Sequence, residues 1–462
     1  MPRSQELLVP LNLPPGERPP SKLWRNGPVW VAGDTPLARY VARPLREFLR
    51  VESTASLALL VATVVALVWV NAGGAASYEH LWHTTLGVDL GHWRFEQSLQ
   101  HWVDDGLMAI FFFVVGLEIK YELVNGDLRD PRTAALPVVA AVGGMVVPAG
   151  LYLAIAGRGA GVDGWGIPMA TDIAFAVGVL GLLGRRVPSS VRLFLLTLAI
   201  VDDVGAIVVI AVFYTGTLHW GWLGLAVALL AAGYLLRRRR VWTPWIYAGL
   251  GIVVWFATLQ SGVHATLAGV ALGLLAPATP LLREDTAKEY AVAALADNEL
   301  DAEEQHRLRF LLAESVPVVE RWQHMLHPVS AYVVLPVFAL ANAGVDLRGG
   351  VLGDALSSPV GLAVVVGLVL GKPLGIVLAS LLAVRLGVAR LPEGARWTHV
   401  VGVGAVAGIG FTVSLFIAGL SFPGSAGLTA DAKVGILVGS LVAAALGALL
   451  LSRLRPEVSA AG

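Results

Sequence analysis

The chain contains no cysteine. Disulfides, thiolate catalysis and cysteine-ligated zinc or iron–sulfur centres are thereby excluded. Charge is scarce as well: Asp, Glu, Lys and Arg make up 14% of 462 residues, and 33 basic side chains cancel 33 acidic ones. With no net field, nothing in the balance points to nucleic acid or to a strongly charged partner. Apolar side chains fill the gap, at 56% of residues and a mean hydropathy of +0.71. That composition belongs to an all-α polytopic membrane protein rather than to a soluble enzyme, with the lipid bilayer as its surroundings.

Apolar runs occupy residues 56–71, 101–123, 134–156, 168–183, 191–214, 220–236, 242–260, 263–277, 329–345, 360–384, 400–422 and 434–451, which predicts twelve transmembrane helices. Spans one to eight fall within residues 54–277 and spans nine to twelve within 328–452. Residues 1–36, rich in proline and charge and without a signal-peptide pattern, read as a disordered cytoplasmic extension. Residues 37–53 alternate arginine with apolar side chains and read as an amphipathic helix on the membrane surface. Between spans eight and nine, residues 278–327 read as a long, charged, partly helical cytoplasmic loop, and residues 453–462 as a tail. The segment TTLGVDLGHWRF, residues 84–95, is too polar to span and predicts a small β-hairpin in the first outer loop. Arginine and lysine concentrate in alternate short loops, at Arg129 and Arg132, Arg185 and Arg186, Arg237 to Arg240, and Arg385, Arg390 and Arg396. By the positive-inside rule both termini are then cytoplasmic.

The run Val191 to Tyr214, VRLFLLTLAIVDDVGAIVVIAVFY, carries two adjacent carboxylates near its middle, Asp202 and Asp203. A charge at that depth costs roughly 2.5 to 3.5 kcal/mol on insertion scales, so an unpaired pair is a poor choice for a helix that only anchors. A helix turns ~100° per residue, so the two cannot share one direction and each needs its own partner. They read as a cation or proton site, or as glue between helices. Other charges interrupt apolar runs. Asp172 lies in PMATDIAFAVG, where Pro168, Thr171 and small residues let a helix unwind at mid-depth. Lys372 lies in LVLGKPLGI and needs an anion, with Asp202 or Asp203 as the natural candidates. A second break is predicted at Gly410 in VGVGAVAGIGFTVSLFIAGLSF. Two interrupted spans in corresponding halves point to a transporter's binding site, where an aspartate and a lysine can neutralise the half-helix ends. Asp105 and Glu118 lie ~20 Å apart on one helix, and Glu118 with Lys120 and Glu122 forms either a cation-concentrating funnel or an interfacial rim. His264 opens a span in SGVHATLAGV.

The ordered set DDGLMAIFFFVVGLEIKYEL, ATDIAFAVGVL, LAIVDDVGAI, SGVHATLAG, LPVFALANAG, GKPLGI and GIGFTVSLFIAGLSF resembles the NhaA-type bacterial sodium/proton antiporter family. The resemblance implies two inverted three-helix repeats, spans 3–5 and 10–12, with crossed discontinuous helices at spans 4 and 11. It implies export of Na+ or Li+ in exchange for H+ across a bacterial plasma (inner) membrane, with no cofactor. Cation and proton binding would fall to Asp202 and Asp203, and charge compensation at the broken helices to Asp172 and Lys372. Thr171 would lie at the crossing. Glu118 and His264 match positions linked to the funnel and to pH response, Asp105 one linked to packing, and the 84–95 hairpin a homodimer contact. The family's pH-sensing stretch often has a glutamate where this chain has Gln323, so its pH profile is expected to differ. Rival readings are an intramembrane aspartyl protease, a symporter of organic anions and a non-transporting ion sensor. Adjacent aspartates cannot form the protease dyad and Asp172 with Asp202 is the pair left for it, but no GxGD-type motif is present and Lys372 would spoil proton sharing, while the acidic centre disfavours anions.

Overall fold

A computed structural model describes residues 52–89, 94–239, 241, 244–280 and 301–454, with a few positions between 282 and 292. The expected N-terminal extension, all but the end of the surface helix, and all but the first two residues of the final tail lie outside the described residues, as does much of the long loop before 301. Helices α1 (Glu52–Trp69) and α2 (Ala75–His83) meet at a kink where Gly73 adopts φ 97°. Strands β1 (Thr85–Asp89) and β2 (Arg94–Ser98) follow and pair antiparallel, Thr85 opposite Ser98 and Asp89 opposite Arg94, where the hairpin was expected. Next come α3 (Met108–Val124), α4 (Pro131–Ala156), α5 (Ile173–Leu183), α6 (Ser189–Phe213), α7 (Trp220–Arg238), α8 (Pro244–Gln260) and α9 (Thr266–Leu275). The second half holds α10 (Ala302–Glu314), α11 (Val318–Val329), α12 (Leu335–Asn342), α13 (Val351–Ser357), α14 (Pro359–Val366), α15 (Lys372–Arg385), α16 (Trp397–Ala407), α17 (Phe411–Ser421) and α18 (Ala426–Ser452).

Local chemistry sets many of these boundaries. Asp130 and Ser358 accept the backbone N–H groups of Arg132 and Gly361 at 3.0 and 3.1 Å, each with proline at the first helical position, so α4 and α14 start where capping is strongest. Asp301 caps α10 through Glu304 N at 2.7 Å, which makes part of the long loop helical as expected. Pro336 and Pro373 each follow a single π turn, Ser330–Val334 and Gly367–Gly371. A proline has no N–H to donate back one turn, and the chain absorbs the loss by widening that turn.

Among the described residues seven helices are long and apolar enough to cross a bilayer, and nine when each of two bent pairs counts as one span. The expected twelve are not reached by this measure. The other three runs are α8, with 17 residues, α9, with 10, and the helical stretch 99–124, which carries Asp104, Asp105, Glu118, Lys120 and Glu122. The bent pairs are the 3₁₀ helix Gly159–Met169 with α5 and α16 with α17, each bent by 46°. Those are the two interruptions the sequence places around Asp172 and Gly410.

The core is aromatic and aliphatic where the two halves meet. Phe416 of α17 packs on Phe112 of α3 and Phe338 of α12, with ring centroids 5.6 and 6.4 Å away. Large apolar side chains also point outward, among them Leu182, Trp245 and Leu441, as a lipid-facing surface requires. Loops at one end, the arginine end, are tied by Asn125 Nδ2 donating to Ala278 O at 2.8 Å and Ser190 Oγ donating to Glu393 O at 2.7 Å. The β-hairpin marks the opposite end.

α9 crosses α3 through small residues. A Cβ on Gly269 would sit 2.2 Å from Ala109 O, and one on Gly273 2.6 Å from Phe113 O, so the two backbones touch in the small-xxx-small manner of membrane helices. Gly273→Val is expected to destabilise the protein by ~1–3 kcal/mol through overpacking. Gly249→Ala, whose new methyl meets nothing within 4 Å, is not. Thermal unfolding in detergent separates them, and equal melting temperatures would contradict the close crossing.

Candidate functional site

Where the two bent pairs cross, helical hydrogen bonding stops and side chains take it over. Residues Ala170 to Asp172 leave the helix, and the Asp172 N–H donates to Ile409 O of the other break at 2.6 Å. One oxygen of Asp172 accepts Phe175 N at 3.0 Å and caps α5. The other accepts both the N–H and the hydroxyl of Thr412, at 3.0 and 2.6 Å, and caps α17. A single carboxylate thus closes two helix N-termini, where the helix dipoles favour negative charge. Gly410 occupies the turn into α17, and a Cβ there would lie 2.3 Å from Ser414 Oγ and 3.2 Å from Ala170 O. A side chain there would press on Ser414, Leu368 and the Ala170 carbonyl, so glycine suits the approach.

The opposing C-terminal ends are met by a cation and a hydroxyl. Lys372, at the start of α15, donates from Nζ to the carbonyl oxygen of Met169, the last residue of the 3₁₀ helix. The same Nζ lies 2.7 Å from Asp202 Oδ2 of α6. Thr171 Oγ1 stands 2.7 Å from that oxygen and 2.9 Å from Ala407 O, the end of α16. Lys372 and Asp202 are each 0% exposed. Of the two anions the sequence offered Lys372, the structure selects Asp202.

Asp203 points elsewhere, as adjacent positions on a helix must. It is buried, and the charges that act on it are those of Glu118, Asp202, Asp172 and Lys372. Among the described residues Asp202 Oδ1 and Asp203 Oδ1 are buried oxygens without a hydrogen-bond partner. Buried polar atoms are nearly always satisfied, so two orphans on neighbouring carboxylates mark a place suited to something that brings positive charge. Carboxylate oxygens, a threonine hydroxyl and free backbone carbonyls are hard donors, which suit alkali cations better than soft metals. Among the described residues no group of three or more His, Asp or Glu is set to hold a metal ion.

The structure brings Asp172, Thr171, Asp202, Asp203, Lys372 and Gly410 together and puts Glu118 within electrostatic reach. Asp105 and His264 lie apart, towards the hairpin end. They face each other electrostatically, with His264 Nε2 2.7 Å from Tyr214 O. Sequence reasoning missed Thr412, whose only signal is its place two residues after Gly410. The apolar run 434–451 also starts late, since α18 begins at Ala426 and takes in Asp431 and Lys433.

The profile of the Na+/H+ antiporter 1 family matches residues 46–451. The chain belongs to that family. It is 47% identical to a Na(+)/H(+) antiporter NhaA 2 of Sorangium cellulosum over 450 residues, covering 95% of this chain and 96% of that one. It is 49% identical to a Na(+)/H(+) antiporter NhaA of Rhodopirellula baltica over 426 residues, 90% and 95% of the two chains. A Na(+)/H(+) antiporter NhaA 2 of Myxococcus xanthus shares 45% over 428 residues, 90% of each. Membership bears out the resemblance carried by the motifs, and family members are transporters rather than enzymes.

If Lys372 and Asp202 are a mutually dependent pair, Lys372→Met leaves a buried carboxylate uncompensated and lowers stability by ~3–5 kcal/mol. Lys372→Met with Asp202→Asn is expected to regain most of that. Thermal unfolding of the singles and the double closes the cycle, and additive losses would contradict the pair.

Proposed function

We propose that the protein is a secondary active transporter that exports Na+, and Li+, in exchange for H+ by alternating access in a bacterial inner membrane. The observation that carries this reading is the pair of unsatisfied buried oxygens on Asp202 and Asp203, set at the crossing of two broken helices beside Lys372. The names of the relatives and the family support Na+ and H+.

The mechanism is competition. A buried carboxylate with no positive partner must take up a proton or a cation, and one carboxylate cannot hold both. Asp203 is the primary site, with Asp202 joining it as cation ligand when Lys372 lets go. An arriving Na+ displaces the proton from Asp203 and competes with the ammonium for Asp202, so Lys372 loses its counter-charge and releases a further proton. That gives more than one H+ per Na+ and makes exchange electrogenic. Reversal potentials in Lys372→Ala that match the wild type would refute this stoichiometry.

In this reading all twelve apolar runs span the membrane, spans 3–5 and 10–12 form inverted repeats, and the arginine end is cytoplasmic with both termini. Glu118 lies on the inner approach and draws cations towards Asp203. Asp105 and His264 lie on the outer side, where His264 contributes to pH response. The hairpin of β1 and β2 serves as a homodimer contact.

In inside-out vesicles Na+ and Li+ are expected to dissipate a pH gradient at neutral to alkaline pH, and Asp203→Asn to abolish this. No response from the wild type at any pH would overturn antiport, and an unimpaired mutant would overturn the central role of Asp203.

A further inference from the structure

A buried serine or threonine in a helix has a partner at hand, the carbonyl one turn back. Thr63, Thr197 and Ser421 use it, donating to Leu59 O, Leu193 O and Ile417 O at 2.8, 3.0 and 2.8 Å. Ser380 of α15 does not. It is 0% exposed, and its Oγ is buried without a hydrogen-bond partner among the described residues. Ser380 belongs to the buried row Lys372, Ile376, Ser380 and Ala383, and stands ~12 Å along the helix from Lys372. An orphaned hydroxyl on that row marks a place for a small polar ligand, and water is the one that fits.

Two more acceptors lie along the same interface. α15 packs on α4 so closely that a Cβ on Gly143 would lie 2.4 Å from Gly375 O, and one on Gly144 would meet the Lys372 stem at 3.8 Å. Pro137 and Pro148 inside α4 have no N–H, so Thr133 O and Gly144 O lose their helical donors. Towards the arginine end a cavity of about 870 Å³ opens between α4, α6 and the segment that follows α15. Thr133 and Pro137 of α4, Phe194 and Thr197 of α6, and Gly387 line it. It runs along α6 as far as Thr197, ~8 Å of helix short of Asp202. On α15, Ser380 lies between Lys372 and the cavity wall at Gly387. The Thr133 carbonyl, the Ser380 hydroxyl and the Gly144 carbonyl thus form a line of polar groups with bonding capacity to spare, leading from the cavity to Lys372.

We propose that this line is a hydrated inner exit for the proton that Lys372 sheds when Na+ takes over Asp202, separate from the Glu118 side on which the cation approaches. The exit rests on the antiport reading. Asp202 and Asp203 leave α6 ~100° apart, one onto Lys372 and the other into reach of Glu118. A proton leaving by the Glu118 side would have to pass the Na+ just bound, and like charges in a poorly hydrated site repel strongly. On the other side Asp127 and Glu393 share the cavity's outer wall with Arg132 and Arg390, so no net charge there opposes a departing proton. In the step itself one N–H bond of the ammonium breaks, its electron pair stays on nitrogen, and the proton joins a water to give hydronium. The hydronium passes by Ser380 to the cavity and the inner solution. Nothing is oxidised or reduced.

Two measurements on the full chain decide it. The chain has no cysteine, so Thr197→Cys and Leu378→Cys each carry a single thiol. Thr197 is 3% exposed at the inner end of the cavity, whereas Leu378 is 55% exposed on the outward face of α15. A charged, membrane-impermeant thiosulfonate added to inside-out vesicles is expected to label Thr197→Cys at least about tenfold faster than Leu378→Cys, since a thiol must be wetted to ionise and react. Equal rates, or no labelling of Thr197→Cys, overturn the exit. The second measurement is the maximal rate of Na+-driven proton release in Ser380→Ala. That rate is expected to fall about tenfold and to slow further in D2O than the wild type does, with the half-saturating Na+ concentration within about twofold of the wild-type value. An unchanged rate overturns the exit, and so does a fall in rate with an unchanged isotope effect, which a merely structural hydroxyl would give. Labelling requires no transport, so labelling of Thr197→Cys with no exchange by the wild type would refute the antiport reading and leave the wetted cavity in place.

Discussion

The ammonium of Lys372 is the constraint on which the centre depends. It lies between the carbonyl oxygen of Met169 and the carboxylate of Asp202, with no exposure to solvent. Two helix pairs break where they cross, and each break leaves N–H groups on one side and carbonyls on the other that a bilayer cannot satisfy. Asp172 answers for both N-termini, and Lys372 and Thr171 answer for the two C-termini. Lys372 is therefore shared between structure and chemistry. Whatever draws it off Asp202 also unsettles the crossing, and in the proposed exchange that is how cation binding would bias one arrangement of the bundle over another.

Much of this was legible in the sequence because intramembrane charge and mid-span glycine or proline are expensive and thus conspicuous. Asp202, Asp203, Asp172 and Lys372 stand out against apolar runs, and the breaks at Asp172 and Gly410 appear where they were expected. Periodicity could not choose between Asp202 and Asp203 for Lys372, since both directions from one helix are open until neighbouring helices are placed. Thr412 escaped because a threonine in an apolar span usually bonds its own helix, and only the crossing brings it to Asp172. Short helices and a charged one also explain why a length-and-hydropathy criterion stops at nine spans although the sequence has twelve apolar runs.

The stretch 99–124 repays the charge that disqualifies it as a simple membrane anchor. Its acids lie at both ends of one helix that packs on α9 through touching backbones, so they are held at fixed depth relative to the central aspartates. Negative charge graded along a path lowers the barrier for a cation without binding it so tightly that it cannot leave. Glu118 lies within electrostatic reach of Asp203.

In the proposed exchange Na+ and H+ compete for one buried carboxylate site. Sodium affinity of the purified protein, measured by calorimetry at a series of pH values, addresses it most directly. The proposed exchange predicts a dissociation constant that rises about tenfold per unit of falling pH for each proton displaced, so by up to about a hundredfold per unit where both Asp203 and Lys372 give up a proton, with protons released as Na+ binds. A dissociation constant independent of pH, with no proton release, would contradict it.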